Sequence, residues 1–304
     1  MRVSRRAAVL TSAVLGSAVL VCLTRPARLD AQAPGGDPAT VLAAAREAIG
    51  GEKRLADIKT LVATGRTRQV RGDNLVPIEF EISCEFPDKY IRRDEIPAQE
   101  NGPTTSGFSG TALIQVPPAP VPPARAGGPP PPTPAQLEAG RAARAVAAKQ
   151  DFARLMLGLL AGSFSSYPLT FTYFGTAQAP QGEADVLDVK GPSNFVARFF
   201  VLKSTHLPVM LSWQAAAPGG AARGTTGRGA QPPSVPPPGP PPAGATPGAP
   251  PPESRLYFAD YRDVDGVKLP FRIRRALGAD TIEETTFDRF RLNAKIDSKK
   301  FEVK

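Results

Sequence analysis

The chain is poor in the residues that most often carry chemistry. Its 304 residues include one histidine, two cysteines, one tryptophan and three methionines. A single histidine excludes His-rich zinc sites and leaves His-dependent catalysis one candidate, His206. Two cysteines exclude a disulfide-dense scaffold. An apolar content of 41% is too low for a multi-span membrane protein but sufficient for a packed core. The formal charge of +9 overstates the basic character. Five basic residues (Arg2, Arg5, Arg6, Arg25, Arg28) and one acid (Asp30) lie in the first 33 residues, and the rest holds 32 basic against 27 acidic side chains. That balance is weak evidence for nucleic acid, so no nucleic-acid partner is expected.

Catalytic spacings are missing too. There is no H-E-x-x-H, no P-loop and no second histidine for a metal pair. Gly107-Phe108-Ser109-Gly110 has the wrong spacing for a nucleophile elbow. His206 stands between Thr205 and Leu207-Pro208 with no visible nucleophile partner, which reads as a turn histidine. Asp260, Asp263 and Asp265 with Gly266 resemble a calcium loop only superficially: Tyr261 would fall at the first ligand position and Arg272 at the last. Asp265-Gly266 is a better hairpin turn. Glu283 and Glu284, adjacent on a strand, face opposite sides and form no carboxylate pair. The expectation is therefore no enzyme, no catalytic residues, no cofactor and no metal.

What is present begins with an export signal at residues 1–33. Arg2, Arg5 and Arg6 form a basic start, Ala7 to Leu23 a run free of charge, and Ala31-Gln32-Ala33 a small-x-small cleavage pattern. An uncut anchor is the alternative, because the 17-residue run reaches the lower edge of a bilayer span. Ser4-Arg5-Arg6 is a weak twin-arginine hint, and Leu20-Val21 before Cys22 argue against a lipoprotein site. Cleavage leaves a periplasmic chain with no stable span and one thiol, Cys84. Most of the 35 prolines fall in two stretches, 117–132 and 218–252, which read as solvated insertions in one domain covering 34–304.

The remainder alternates. Asp37 as N-cap, Pro38 at the first position and Gly50-Gly51 at the end predict a helix over Pro38 to Ile49. Val76, Ile78, Phe80, Ile82, Cys84 and Phe86 alternate with Pro77, Glu79, Glu81, Ser83 and Glu85, which places one strand face inside and three carboxylates outside. Thr133, Pro134 and Gln136 start a long helix to about Ala161. Its second half carries an apolar stripe of Phe152, Leu155, Met156, Leu159 and Leu160. About eleven strands joined by short turns predict a mainly antiparallel sheet that must curl. The fold class is α+β: a curved antiparallel sheet, an unclosed β-barrel with a helical lid.

Three segments carry a family resemblance: FFVLKSTHLPVMLSW (Phe199 to Trp213), YFADYRDVDGVKLPFRI (Tyr257 to Ile273), and Phe287 to Phe301 with Asn293 and Ile296-Asp297. In strand order and turn phrases the chain resembles the exported outer-membrane lipoprotein-sorting proteins of the LolA/LolB-like superfamily. The resemblance implies an unclosed barrel with helices over its mouth, and a periplasmic carrier of lipid, lipidated protein or another amphiphile. Arg66 and Arg68 are the candidates for the carriers' lid-locking arginine. On this reading Ile78, Phe80, Ile82, Phe171, Phe199 and Leu211 line an apolar cavity under a lid of Phe152, Leu155, Met156, Leu159 and Leu160. Plain core packing is the alternative for each. The rival functions are a cell-envelope interaction module whose Pro-rich loops bind envelope proteins over a filled core, and a lipid-responsive regulator.

Overall fold

A computed structural model describes residues 36–72, 74–100, 102–119, 131–214 and 252–302. The export-signal reading, residues 120–130 of the first Pro-rich stretch and residues 218–251 of the second lie outside these residues. The described residues open with two helices, α1 (Pro38–Ile49) and α2 (Glu52–Ala56). Asp37 caps α1 as its sequence predicts, accepting from the amides of Ala39 and Thr40 at 3.2 and 3.0 Å.

Twelve strands follow. The first five are β1 (Thr60–Arg71), β2 (Asn74–Glu85), β3 (Lys89–Glu95), β4 (Thr104–Ser109) and β5 (Ala112–Val116). Helix α3 (Pro134–Leu160) then intervenes. The chain returns to strands in β6 (Thr170–Ala179), β7 (Gly182–Gly191), β8 (Phe195–Leu202), β9 (Pro208–Gln214), β10 (Glu253–Val264), β11 (Val267–Leu277) and β12 (Asp280–Leu292), and a 3-10 turn, Ser298–Phe301, ends the description. The strands form one antiparallel sheet in the order β5-β4-β3-β2-β1-β12-β11-β10-β9-β8-β7-β6. Strand β1 pairs with β12, so the two meanders join at the middle of the sheet. Among the described residues β5 and β6 pair on one side only, at the two edges, and the barrel is not closed.

The strand beyond the expected eleven is β4. Its sequence, TTSGFS, has no apolar alternation, and pairing on both sides holds it instead. Gly107 is required there, because a β-carbon would strike the Tyr90 carbonyl across the ladder.

Period-two alternation sorts the middle of β2 as expected, although Ser83 of the expected outer set is also buried and Val76 is only half-buried. Ile78, Phe80, Ile82 and Cys84 are buried. Burial pushes the Cys84 thiol pKa up, which makes it a core residue with no nucleophilic character at neutral pH. The main core occupies the concave face and gathers Phe80, Phe199, Phe258, Leu211 and Phe287 from strands far apart in sequence. Hairpin geometry follows the predicted turn: Asp265 and Gly266 both take positive φ, and the Gly266 amide donates to Asp263 at 2.9 Å. His206 is an exposed turn residue with φ of 57°.

Candidate functional site: the concave face and its helix

Helix α3 starts with a capping box: Thr133 Oγ1 accepts from the Gln136 amide at 3.3 Å, and Gln136 Oε1 accepts from the Thr133 amide at 2.8 Å. Its 27 residues divide by environment. Residues 134–143 are mostly exposed, while 152–160 are buried except for Leu155, which is half-buried. The buried part includes Leu157 and Gly158, which lie off the predicted stripe. The reason is tertiary. The helix touches β4 and β5 near one sheet edge and also β9 and β11 on the other side of the sheet. The helix therefore lies across the inner face of the curled sheet, as the expected lid.

The fit is aromatic at one end. Phe152 meets Tyr90 and Phe108 at ring-centroid distances of 5.4 Å, the second edge-on, and Phe164 at 5.6 Å. Deeper in, a β-carbon on Gly158 would fall within the Phe258 ring, so the helix backbone lies directly on β10. Tyr261 Oη donates to the Pro208 carbonyl at 2.6 Å, with the Gly158 carbonyl at 3.5 Å. Burial raises the Tyr261 pKa well above its ordinary value.

The predicted wall and lid residues do meet. Phe80, Ile82, Phe199 and Leu211 belong to the same buried cluster as Phe152, Met156, Leu159 and Leu160, with Phe171 and Leu155 packed against it partly exposed. Ile78 is buried as well. Side chains of α3 thus pack directly against the predicted wall residues. A cavity of about 260 Å3 opens at the C-terminal end of α3, between Leu160, Phe86, Phe164, Leu55 and Ile58. Another, of about 410 Å3, lies between the C-terminal turn and β3–β5, lined by Ile91, Ile114 and Lys300, away from the helix.

Polar groups frame this apolar centre. On β3, Arg92 Nε donates to Asp94 Oδ1 at 2.7 Å and Nη2 donates to Thr67 Oγ1 at 3.1 Å, with the guanidinium 4.7 Å from the Phe80 centroid. Burial opposes the Arg92 charge, but Asp94 and Glu283 outweigh it and leave its pKa raised. A second group ties α3 to the opposite side. Asp151 Oδ1 accepts from Arg154 Nη1 at 3.0 Å and lies 3.9 Å from Arg275 Nη2 on β11. Both guanidiniums lie over Trp213, at 4.4 and 5.8 Å. Arg154 is 8% exposed. Burial lowers its pKa, Asp151 offsets part of that, and the like charge of Arg275 adds to the lowering. Among the described residues two buried side-chain nitrogens lack a hydrogen-bond partner, Nε of Arg144 and Nε of Arg154, and both belong to α3.

Arg66 and Arg68 do not lock this helix: both lie exposed on the outer face of β1. The arginines that touch the helix seat are Arg154 and Arg275. Arg154 was legible in principle as a cation inside an apolar stripe, whereas Arg275 could be placed only by strand register. Among the described residues no group of three or more His, Cys, Asp or Glu side chains could hold a metal ion, and no helix is long and apolar enough to cross a membrane.

The architecture has solved counterparts. A LolA superfamily protein from Nitrosomonas europaea superposes over 88% of this chain and 98% of its own, with a TM-score of 0.50 and 14% identity. The chain has the LolA superfamily fold. The chain also matches, more weakly, an outer membrane lipoprotein-sorting protein domain from Vibrio parahaemolyticus (TM-score 0.47, 10% identity, 87% of this chain and 97% of that one) and a DUF1329 family protein from Desulfovibrio piger (0.44, 8%, 88% and 98%). No protein-family model and no curated protein matches the sequence.

Proposed function

We propose that the protein is a non-enzymatic carrier of an amphiphile, a lipid or lipid-modified protein, working in the periplasm after export. The buried half of α3 occupies the concave face, and an acyl chain replaces it when cargo loads. The observation that carries the reading is that both unpartnered buried nitrogens belong to the helix filling the sheet. Settled cores satisfy such groups, so an element that leaves them unmet fits its seat incompletely.

Magnitudes permit the exchange. Burial of Phe152, Met156, Leu157, Leu159 and Leu160 is worth about 2 kcal/mol each, or about 10 kcal/mol together. A chain of roughly fourteen methylenes gains about 11 kcal/mol at about 0.8 each. The two occupants are near balance, so loading and release need no covalent step. A partner of higher affinity for the cargo suffices to draw it off while α3 returns.

One observation favours the rival, an envelope interaction module with Pro-rich docking loops: wall and helix side chains are already packed together. Hydrogen exchange separates the two. Saturation with a sixteen-carbon single-chain amphiphile should strip protection from residues 152–160 and spare β1 and β12. Unchanged α3 protection, with no lipid retained in native mass spectrometry of protein isolated from membranes, would select the interaction module.

A further inference from the structure

The carrier reading leaves the chemistry of the cargo open, and the polar group at the edge of the α3 seat narrows it. Arg275 belongs to the wall, on β11, and Trp213 to the wall, on β9. Asp151 and Arg154 arrive with the helix. Asp151 immediately precedes the buried segment 152–160, so α3 presents to the sheet a carboxylate followed by about 13 Å of helix that is apolar apart from Arg154. That order, an anionic head and then an apolar tail, is the layout of an anionic single-chain amphiphile.

The seat is also unbalanced. Two guanidiniums crowd one indole and share one carboxylate, which is 42% exposed and lies at 3.0 Å from one and 3.9 Å from the other. Glu283 stands opposite Arg275 in the β11–β12 register but forms no ion pair with it. Arg154 is buried with its Nε unpartnered. An ionised donor with no partner is costly inside a protein, and two like charges side by side add to that cost. Departure of α3 returns Arg154 to water and leaves Arg275 on the wall without the Asp151 carboxylate.

We propose that Asp151 is an internal stand-in for the headgroup of the cargo, and that Arg275 beside Trp213 receives an anionic oxygen group, a carboxylate or phosphate, when an amphiphile displaces α3. This rests on the carrier reading and specifies its substrate class.

Trp213, the one tryptophan of the chain, reports on the seat directly. The full chain is titrated with oleate below its micelle concentration, with oleyl alcohol, and with inorganic phosphate, following Trp213 emission and checking affinity by equilibrium dialysis. The proposal expects oleate to bind at least about tenfold tighter than the alcohol, the scale of one charge-assisted hydrogen-bonded pair. Arg275→Gln should narrow that preference to about twofold or less, Arg275→Lys should retain most of it, and Arg198→Gln on the outer face should leave it intact. Thermal midpoints of the variants confirm that each is folded.

Equal affinity of wild type for acid and alcohol overturns the proposal while leaving the carrier reading standing. So does a preference that survives Arg275→Gln, and so does saturation of the Trp213 signal by phosphate alone at oleate's concentration. Binding of neither amphiphile overturns the carrier reading itself.

Discussion

Two arginines lie against aromatic rings inside the same curved sheet, one with no orphaned buried nitrogen and the other with its Nε orphaned. Arg92 has a carboxylate and a hydroxyl in hydrogen-bond reach, and the receiving Thr67 hydroxyl is itself bonded to that of Thr285 at 2.9 Å. Both members of its ion pair are mostly buried, at 17% and 10% exposure. Arg154 shares a half-exposed Asp151 with Arg275 and leaves Nε unpartnered. The first network joins β1, β3 and β12, strands of the permanent wall. The second joins the wall to the one helix that fills it. Complete satisfaction marks a junction built to stay, and incomplete satisfaction marks one that can be given up.

The sharpest way to break this contrast is to remove one carboxylate from each side. Asp94→Asn strands a buried guanidinium and should destabilise the fold by about 3–5 kcal/mol in urea unfolding. Asp151→Asn should cost under about 1 kcal/mol, because its carboxylate is half in water. Equal losses would erase the distinction between the two networks.

A smaller effect probes the helix seat alone. Gly158→Val places branched carbon in the Phe258 ring and should cost about 3 kcal/mol, read as a lower unfolding midpoint. Protease sensitivity should then rise in α3 before it rises in β1 or β12. Cleavage that begins in the central strands would show that helix and wall come apart as one unit.

Alkaline pH tests both regions together. Burial raises the pKa of Tyr90, with Arg92 lowering it in part, and burial raises that of Tyr261. The unfolded phenols ionise near about 10. Unfolding therefore releases protons above that pH, and stability should fall by about 1.4 kcal/mol per pH unit for each buried phenol. The buried Cys84 thiol adds a third group of the same sign, so Tyr261→Phe should remove about a third of the total slope.

The smallest expected change is Arg154→Met. Replacing an incompletely paired buried cation by a side chain of similar volume should leave stability within about 1 kcal/mol of wild type, or raise it. Arg92→Met, which orphans Asp94, should be clearly worse in the same assay.

Local signals were legible where one residue pattern decides one contact. The β2 alternation, the Asp37 cap, the Thr133 capping box and the Asp265-Gly266 turn all depend on neighbours within a few positions, and the structure has each of them. Strand β4 was not legible, since TTSGFS owes its state to β3 and β5 on either side. The stripe Phe152, Leu155, Met156, Leu159 and Leu160 identified the buried end of α3 but understated it. A period of 3.6 describes a helix with one covered face, and α3 is covered nearly all round. Leu157 and Gly158 were missed for that reason, and so was Arg154.

By itself the sequence determined that this chain makes an antiparallel sheet with one greasy face and a helix with one greasy half. Hydrophobic periodicity and caps are local, and they fix which side of each element seeks cover. Only the tertiary structure decided that the helix lies within the curl and brings Asp151 to Arg275, residues 124 positions apart. Sheet curvature and strand register are cooperative properties of twelve strands at once, and no window of residues encodes them.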